Sequence, residues 1–179
     1  MTERAWETGC GWETDFFWVV PEGCRSGVYA AECVDANGST FYVTFVVPPR
    51  LDRKGEVAVL ASTNTWNAYN GWGGMSAYTK PCPTGLSLDR PMPAATPAGK
   101  GRSHLVRAEL WTLDWLERAG YAADVYSETD LHLGWDWLRG YPALIINTHG
   151  EYWSGPMRDH LDAYLKAGGN LLYLSGNGV

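Results

Sequence analysis

The sequence predicts an α/β protein whose main domain is a doubly wound parallel sheet, preceded by the last strands of a β-sandwich. Three observations support this. Residues 1–48 consist of short runs of aromatic and β-branched residues between turn-forming segments, as in antiparallel sheets. From residue 56 to residue 179, short apolar runs alternate with stretches of helical periodicity, the pattern of a parallel sheet covered by helices. Residues 49–55 between them have the composition of a linker.

Three strands are predicted in the first domain, at residues 15–20, 27–33 and 40–47. The Asn37-Gly38 pair favours a hairpin turn between the second and third of them. Three strands alone bury too little apolar surface to be stable. We therefore expect residues 1–48 to be the tail of a β-sandwich whose earlier strands are not in the sequence.

The second domain is predicted to hold four strands and two long helices. The strands are at residues 56–61, 123–126, 143–147 and 170–175, and the helices are at 103–119 and 154–167. Ser103 and Ser154 are the predicted N-caps of the helices. A long loop covers residues 62–102, and a Trp-rich helical turn covers 133–139.

Right-handed crossovers give this domain a flavodoxin-like strand order of 2-1-3-4. The sequence stops directly after its fourth strand, where a covering helix is expected next. The domain at residues 56–179 is therefore predicted to be the N-terminal part of a longer α/β domain, truncated at its C-terminus.

Composition argues against several classes of function. With 20 acidic and 14 basic residues and no basic block, the chain is a poor match to nucleic-acid phosphates. No apolar run approaches the roughly 18 residues that span a membrane. No signal peptide begins the sequence, and its four cysteines lack CxxC spacing, which indicates a cytoplasmic protein without a cysteine-held zinc. Ten Trp beside only 19% charged residues indicate association with another chain or segment.

Polar residues follow three of the predicted strands, at residues 62–74, 147–154 and 175–178. In open parallel sheets, ligands bind beyond the carboxyl ends of the strands, where the strand order reverses. For the order 2-1-3-4 this place lies between the first and third strands. The three polar segments therefore predict a functional site at one edge of the sheet.

Glu151 is the main candidate in these segments, because it lies in a loop beside aromatic residues that would partly desolvate it. It is a candidate base or metal ligand, and the alternative is an interaction with the start of the next helix. His149 is either a general acid or base or a structural histidine. Packing is the usual role of residues such as Tyr69 and Tyr78 in a glycine-rich loop.

The sequence lacks the motifs that covalent catalysis and phosphate binding require. No Cys or Ser follows a strand in a G-x-S-x-G pattern, so covalent catalysis is unsupported. The glycines at 71, 73 and 74 are not followed by Lys-Ser or Lys-Thr, so a phosphate-binding loop is disfavoured.

Four segments, at residues 26–30, 61–70, 148–154 and 169–177, resemble the large (β) subunit of N,N-dimethylformamidase. The resemblance covers about residue 15 to the end. It implies a glutamine-amidotransferase-like domain and hydrolysis of a small amide at a mononuclear ferric ion. It implies Tyr29, Tyr69 and Glu151 as the metal ligands, with His149 and Asn177 as further catalytic residues. The substrate pocket would be lined by Trp66, Asn67, Trp72 and Trp153.

The implied ligand set is chemically consistent. Phenolates are hard oxygen donors, and a strongly charged hard cation is needed to hold two of them at neutral pH. The resemblance also implies a small α subunit as partner and a later catalytic glutamate that would lie beyond Val179. It therefore does not imply that this chain is active alone.

Three functions remain open from the sequence. The first is iron-dependent hydrolysis of the C–N bond of a small amide of the N-substituted formamide type. The second is a non-catalytic module of the same fold that binds a small molecule or sugar. The third is a structural subunit. Iron distinguishes them, because only the first requires it.

Overall fold

The computed structural model describes residues 3–50, 52, 54–98 and 106–178. Within these residues, two strands form an antiparallel sheet and four form a parallel sheet. The protein is therefore a mixed α/β structure, as predicted. No helix among the described residues has the length and apolarity needed to cross a bilayer.

The antiparallel sheet is a hairpin of β1 (Gly27–Val34) and β2 (Thr40–Val47). Its register pairs Gly27 with Val47 and Val34 with Thr40. The Asp35 carboxylate closes the turn by accepting the amides of Asn37 and Ser39, both at 2.8 Å. Gly38 has φ +81°, a backbone region that favours glycine. Both predicted strands and the turn between them are thus confirmed.

The predicted strand at residues 15–20 is wrong. These residues form no strand in the described structure, and Phe16 and Phe17 are 76% and 87% exposed. Aromatic and β-branched residues favour a strand only where a neighbouring strand supplies ladder hydrogen bonds. The hairpin, however, pairs β1 with β2 alone among the described strands. The assignment of residues 1–48 to a β-sandwich, and of 49–55 to a linker, stays a prediction.

The parallel sheet consists of β3 (Val57–Ala61), β4 (Ala123–Ser127), β5 (Ala143–Thr148) and β6 (Asn170–Ser175). Their order is β4-β3-β5-β6, which confirms the predicted 2-1-3-4 arrangement. The central strands β3 and β5 are buried on both faces, as their continuous apolar runs predict. The likeness to glutamine amidotransferases stays a prediction.

The helical elements are short apart from α3 and α5. They are α1 (Ala5–Thr8), α2 (Thr63–Tyr69), α3 (Val106–Arg118), α4 (Glu128–Leu133), a 3₁₀ turn (Asp136–Leu138) and α5 (Gly155–Lys166). Ser154 caps α5 by accepting the amide of Met157, as predicted. The predicted N-cap of α3, Ser103, lies outside the residues that the structure describes.

Three helices, α1, α2 and α4, occur where none was predicted. α2 occupies the start of the predicted loop at 62–102, because burial of Trp66 and Ala68 outweighs the weak helix propensity of its Asn and Thr residues. α4 precedes the predicted Trp-rich turn, of which only the 3₁₀ turn is observed. It begins at a capping box in which Ser127 and Asp130 bond each other's backbone amides.

Helices cover both faces of the parallel sheet. On one face, Leu60 and Ile146 pack with residues of α4 and α5, including Leu131 and Leu161. On the other face, the core contains α3, Trp66 of α2 and the hairpin, and its strand residues are Val59, Ala61, Val125 and Ile145. This face places α2 and the hairpin beside the same strands.

Ser26 fastens the hairpin to the edge of the parallel sheet. Its hydroxyl accepts the amide of Val125 in β4 at 2.7 Å and lies 3.0 Å from the carbonyl of Val47, to which it donates. β4 is the edge strand, so this amide has no strand partner on that side. Thr44 adds a hydrogen bond to the carbonyl of Ala95. The hairpin is therefore held by polar contacts as well as by Val28 and Val46 in the core.

Replacement of Ser26 by Ala should lower the free energy of unfolding by about 1–3 kcal/mol, because the partly buried Val125 amide loses its acceptor. Amide hydrogen exchange at Val125 should accelerate in the same variant. Thr84→Ala, which removes an exposed loop hydroxyl, is the control and should have little effect. Unchanged exchange at Val125 in the Ser26 variant would show that this bond does not hold the hairpin.

Candidate functional site

The carboxyl ends of β3 and β5 bring two of the predicted ligands together. α2 follows β3 and ends at Tyr69, while the loop at residues 149–154 follows β5 and contains Glu151. The Tyr69 hydroxyl lies 3.4 Å from Glu151 Oε2. The convergence predicted from strand order is thus present in the structure for this pair.

A second phenol, that of Tyr78, joins them. Its hydroxyl lies 3.1 Å from Glu151 Oε1 and 3.0 Å from Oε2, and its ring centroid is 4.5 Å from that of Tyr69. The loop reaches this place because the amide of Ala77 donates to the carbonyl of Ala68 at 2.9 Å. Sequence analysis assigned Tyr78 to packing, since no motif distinguishes it from other loop aromatics. We call Tyr69, Tyr78 and Glu151 the Tyr–Glu cluster.

The environment of Tyr78 favours its neutral form. Loss of hydration, and then hydrogen bonding with Tyr152, Tyr69 and Glu151, raises the pKa of this phenol above its ordinary value. In the structure as described, Tyr78 is therefore a donor to the carboxylate. The cluster holds two phenols and one carboxylate, which are oxygen donors without nitrogen or sulfur.

The loop that carries Glu151 is fixed by hydrogen bonds to α2 and β6. The Glu151 amide donates to Thr65 Oγ1 at 3.1 Å, and Asn64 Nδ2 donates to the Tyr152 carbonyl at 3.1 Å. The Gly150 amide donates to Ser175 Oγ at 2.7 Å. These bonds tie the loop backbone to both neighbouring elements, so the position of Glu151 depends on the start of α2.

Backbone strain occurs where this loop begins. Thr148 has φ +66°, a left-handed conformation that a β-branched residue rarely adopts. The next turn is closely packed, because a Cβ on Gly150 would lie 3.0 Å from Ile146 Cγ2. A strained residue held by surrounding structure is a feature of functional sites. Here the turn directs residues 149–151 toward the edge of the sheet.

His149 and Asn177 lie at the same edge as the Tyr–Glu cluster. The His149 ring is half-buried beside Gly176, where an added Cβ would lie 3.9 Å from Cε1. Asn177 is exposed in the turn after β6 with φ +56°, a conformation that asparagine tolerates well. Their location fits the predicted site, and their catalytic roles stay predictions.

Tyr29 is placed away from the Tyr–Glu cluster. Its hydroxyl donates to the Arg25 carbonyl at 2.8 Å, and its ring stacks on that of Phe45. A hydrogen bond with Cys24, together with burial, raises the pKa of this phenol. Tyr29 lines a cavity of about 760 Å³ with Tyr121 and Ala122, at the amino end of β4. Glu151, in contrast, follows the carboxyl end of β5, so the structure does not bring the three predicted ligands together.

The predicted pocket residues divide into two groups. Trp66 and Trp72 line a groove of about 900 Å³ between the hairpin and α2. Asn67 is used structurally, because its Oδ1 accepts from Arg90 at 2.9 Å and its Nδ2 donates to the Leu86 carbonyl. The Trp153 indole N–H donates to the Gly150 carbonyl at 2.6 Å. Trp66 and Trp72 thus line a groove whose lining does not include the Tyr–Glu cluster, and their role in binding a substrate stays a prediction.

The donor set of the Tyr–Glu cluster fits a hard, highly charged cation better than a soft one. In the described part of the chain, no three His, Cys, Asp or Glu side chains are grouped so that they could hold a metal. A metal at this edge would accordingly depend on phenol oxygens. Tyr69 and Glu151 are the predicted ligands present there, and Tyr78 is the second phenol.

Comparison with known proteins identifies the family. A family model described as "N,N-dimethylformamidase beta subunit-like, C-terminal" matches residues 1–179. The chain belongs to this family. Two relatives are each named "N,N-dimethylformamidase beta subunit": that of Alcaligenes sp is 29% identical and that of Paracoccus aminophilus 28% identical, over 95% of this chain. The chain spans 28% of the length of each.

In this dimethylformamidase beta subunit-like chain, Arg90 organises the long loop beside the site. It is 7% exposed, and its five N–H groups are directed at oxygen atoms of the loop and α2. The acceptors are the carbonyls of Ser87, Trp72, Met75 and Asn67 and the Asn67 side chain, at 2.9–3.1 Å. Arg90 was not predicted, because a single arginine in a loop gives no signal of burial. Its bonds keep the loop that contains Tyr78 against α2.

Replacement of Tyr78 by Phe keeps the ring contact with Tyr69 and removes the hydroxyl that donates to Glu151. We expect the free energy of unfolding to fall by about 1.5 kcal/mol, the value of a hydrogen bond to a charged group. Tyr121→Phe is a matched control, because the two tyrosines are 48% and 50% exposed. Equal effects of the two substitutions in denaturant unfolding would contradict the proposed contact.

Proposed function

We propose that this chain contributes the catalytic centre for hydrolysis of the C–N bond of a small amide, of the N-substituted formamide type. The observation that carries the proposal is the convergence of Tyr69 and Tyr78 on Glu151 at the carboxyl edge of the parallel sheet. The names of the two relatives support the same reaction class. Hydrolysis of an amide needs a polarised carbonyl, an activated water and a proton for the leaving amine.

A mononuclear ferric ion is the cofactor that we propose for this centre. Tyr69 and Glu151 would hold it, and their oxygen donors suit its charge. Tyr29 is the third ligand implied by family resemblance, whereas Tyr78 is the phenol beside Glu151 in the structure. When bound, the ion would supply Lewis-acid polarisation of the amide carbonyl and of water.

The remaining chemistry is assigned to side chains at the same edge of the sheet. We propose that the His149 imidazole accepts a proton from the attacking water and returns it to the departing amine. The Asn177 side-chain amide would donate a hydrogen bond to the oxygen on which negative charge develops. Trp66 and Trp72 would bind the alkyl groups of the amide in the groove that they line.

Assembly and location belong to the same proposal. The relatives are named as beta subunits, which supports a multi-subunit protein. The second, smaller chain that we propose as partner is implied by the family resemblance. Trp111 and Trp115 on α3 are 65% and 58% exposed. Two large apolar side chains exposed on one helix are typical of a surface that another chain covers. We propose a cytoplasmic oligomer in which residues 56–179 are part of a larger α/β domain.

A non-catalytic binding module is the second candidate. The observation that favours it is the groove of about 900 Å³, whose lining includes aromatic and aliphatic residues of the hairpin as well as Trp66 and Trp72. Such a groove would bind a small molecule or sugar without a metal. Metal content therefore separates the two candidates.

The full-length protein, purified from cells grown with iron, should contain about one iron ion per chain and show a phenolate-to-ferric charge-transfer band. Tyr69→Phe should shift and weaken this band, because one of two phenolate ligands is lost. Comparison of Tyr29→Phe with Tyr78→Phe then shows which phenol is the second ligand, because only a ligand's loss should shift the band. Colourless protein without iron by elemental analysis would refute the metal centre and favour the binding module.

Glu151→Gln keeps the size of the side chain and removes its charge, so iron and amide hydrolysis should both be lost. His149→Ala removes no proposed ligand, so iron should stay while turnover falls by about 10²–10⁴. Glu22→Gln, an exposed glutamate, is the charge control. Loss of iron in the His149 variant with retention in the Glu151 variant would reverse the two roles.

A further inference from the structure

The first turn of α2 is not capped by its own sequence. Ser62 is the N-cap residue, but its hydroxyl makes no cap hydrogen bond and instead donates to the Asn147 carbonyl at 3.2 Å. The first amides of a helix have no partner within the helix and need acceptors from elsewhere. In α2 these amides lie in the protein interior, since Ser62 and Thr65 are buried.

Two buried glutamates from other helices supply the acceptors. Glu109 of α3 accepts the Ser62 amide at 2.8 Å, and Glu128 of α4 accepts the Asn64 amide at 2.6 Å. The two residues are 2% and 0% exposed. A carboxylate near the start of a helix also interacts favourably with the helix dipole. Burial of two acidic residues at one helix start is costly, and their hydrogen bonds to the amides of this turn offset part of that cost.

The same turn is bonded to the loop that carries Glu151. Thr65 Oγ1 accepts the Glu151 amide at 3.1 Å, and Asn64 Nδ2 donates to the Tyr152 carbonyl. At its other end α2 carries Tyr69, whose hydroxyl lies 3.4 Å from the Glu151 carboxylate. One short helix therefore fixes both partners of the Tyr–Glu contact. Any movement of its first turn would shift Glu151 and Tyr69 together.

We propose that Glu109 and Glu128 are positioning residues, which hold the first turn of α2 so that Tyr69 and Glu151 meet at the functional site. This inference rests on the proposed function of the Tyr–Glu cluster. Neither glutamate contacts that cluster in the hydrogen bonds described. They act through Ser62, Asn64 and Thr65.

The charge state of the two carboxyls makes this arrangement sensitive to pH. Burial raises the pKa of Glu109 to about 8, although the hydrogen bond from the Ser62 amide favours its charged form. Burial likewise raises the pKa of Glu128 to about 8, opposed by the Asn64 amide and assisted by the charge of Glu109. The titratable group that faces Glu128 from another element is thus Glu109, while α2 and its N-cap direct backbone amides at both carboxyls.

The direction of the pH effect follows from these shifts. The pKa of each carboxyl in the folded protein lies above its ordinary value of 4.5. Folding therefore favours the protonated form of each carboxyl. The contribution of this protonation to the free energy of unfolding is fully present below about pH 4.5 and is lost as pH rises through about 8. One oxygen of each group, Oε2 of Glu109 and Oε1 of Glu128, has no hydrogen-bond partner among the described residues and is available for the proton.

Amide hydrogen exchange in the full-length protein tests the proposal. After correction for intrinsic exchange, protection of the Ser62 and Asn64 amides should fall by at least about tenfold between about pH 5.5 and pH 8. Glu109→Gln and Glu128→Gln keep an acceptor oxygen but do not ionise, so each should weaken this pH dependence. Glu117→Gln, on the exposed side of α3, should leave it unchanged. An unaltered pH profile in both Gln variants would overturn the proposal.

A second comparison tests the connection to the site. Glu128→Ala removes the acceptor and should accelerate exchange at Asn64 and also at the Glu151 amide, which Glu128 does not contact. Glu128→Gln should restore protection at both backbone amides. The rate of substrate hydrolysis should likewise fall in Glu128→Ala and recover in Glu128→Gln. Faster exchange at Asn64 with unchanged exchange at Glu151 would show that Glu128 caps α2 without positioning the site, and would overturn the proposal.

The exchange measurements do not depend on catalysis. Should the wild-type protein hydrolyse no amide while exchange responds as expected, the positioning role would stand and the proposed function would fail. Should turnover be present but independent of Glu109 and Glu128, the proposed function would stand and the positioning role would fail.

Discussion

The hydrogen bonds around the first turn of α2 are the constraint on which the site depends. This turn lies between the carboxyl ends of β3 and β5 and is buried, so its polar groups must find partners within the protein. Glu109 and Glu128 satisfy amides of the turn, and Thr65 and Asn64 in turn bind the loop after β5. α3 and α4 thereby determine where α2 lies, and α2 determines where Glu151 lies.

The irregular segments around the site are organised by polar contacts rather than by apolar packing alone. Arg90 directs its donors at loop carbonyls and holds the segment that contains Tyr78 against α2. Ser26 fastens the hairpin to β4, and this positions the apolar groove next to Trp66. Strain at Thr148 lies within this network, where neighbouring bonds such as that between Gly176 and Thr148 maintain it.

Much of the parallel sheet could be predicted from the sequence, because buried strands are continuous apolar runs and their order follows from right-handed crossovers. The site edge followed from the same rule and pointed to Glu151, whereas Tyr69 was indicated only by the family resemblance. α2 could not be predicted, since its Asn and Thr residues have weak helix propensity. The helix depends on burial of Trp66 and Ala68 and on acceptors from α3 and α4, which no local pattern shows. Residues 15–20 have strand composition but no neighbouring strand to pair with in the described structure. Tyr78 and Arg90 owe their roles to the fold of a long loop, which no local pattern specifies.

The central claim is that the Tyr–Glu cluster is a metal centre. Diffraction from crystals of the full-length protein at the iron absorption edge would locate any iron directly by its anomalous signal. We expect a peak about 2 Å from the hydroxyl of Tyr69 and from a carboxylate oxygen of Glu151, the usual length of a metal–oxygen bond. A peak bonded to other residues, or no peak in crystals of protein that contains iron and hydrolyses amides, would contradict the account.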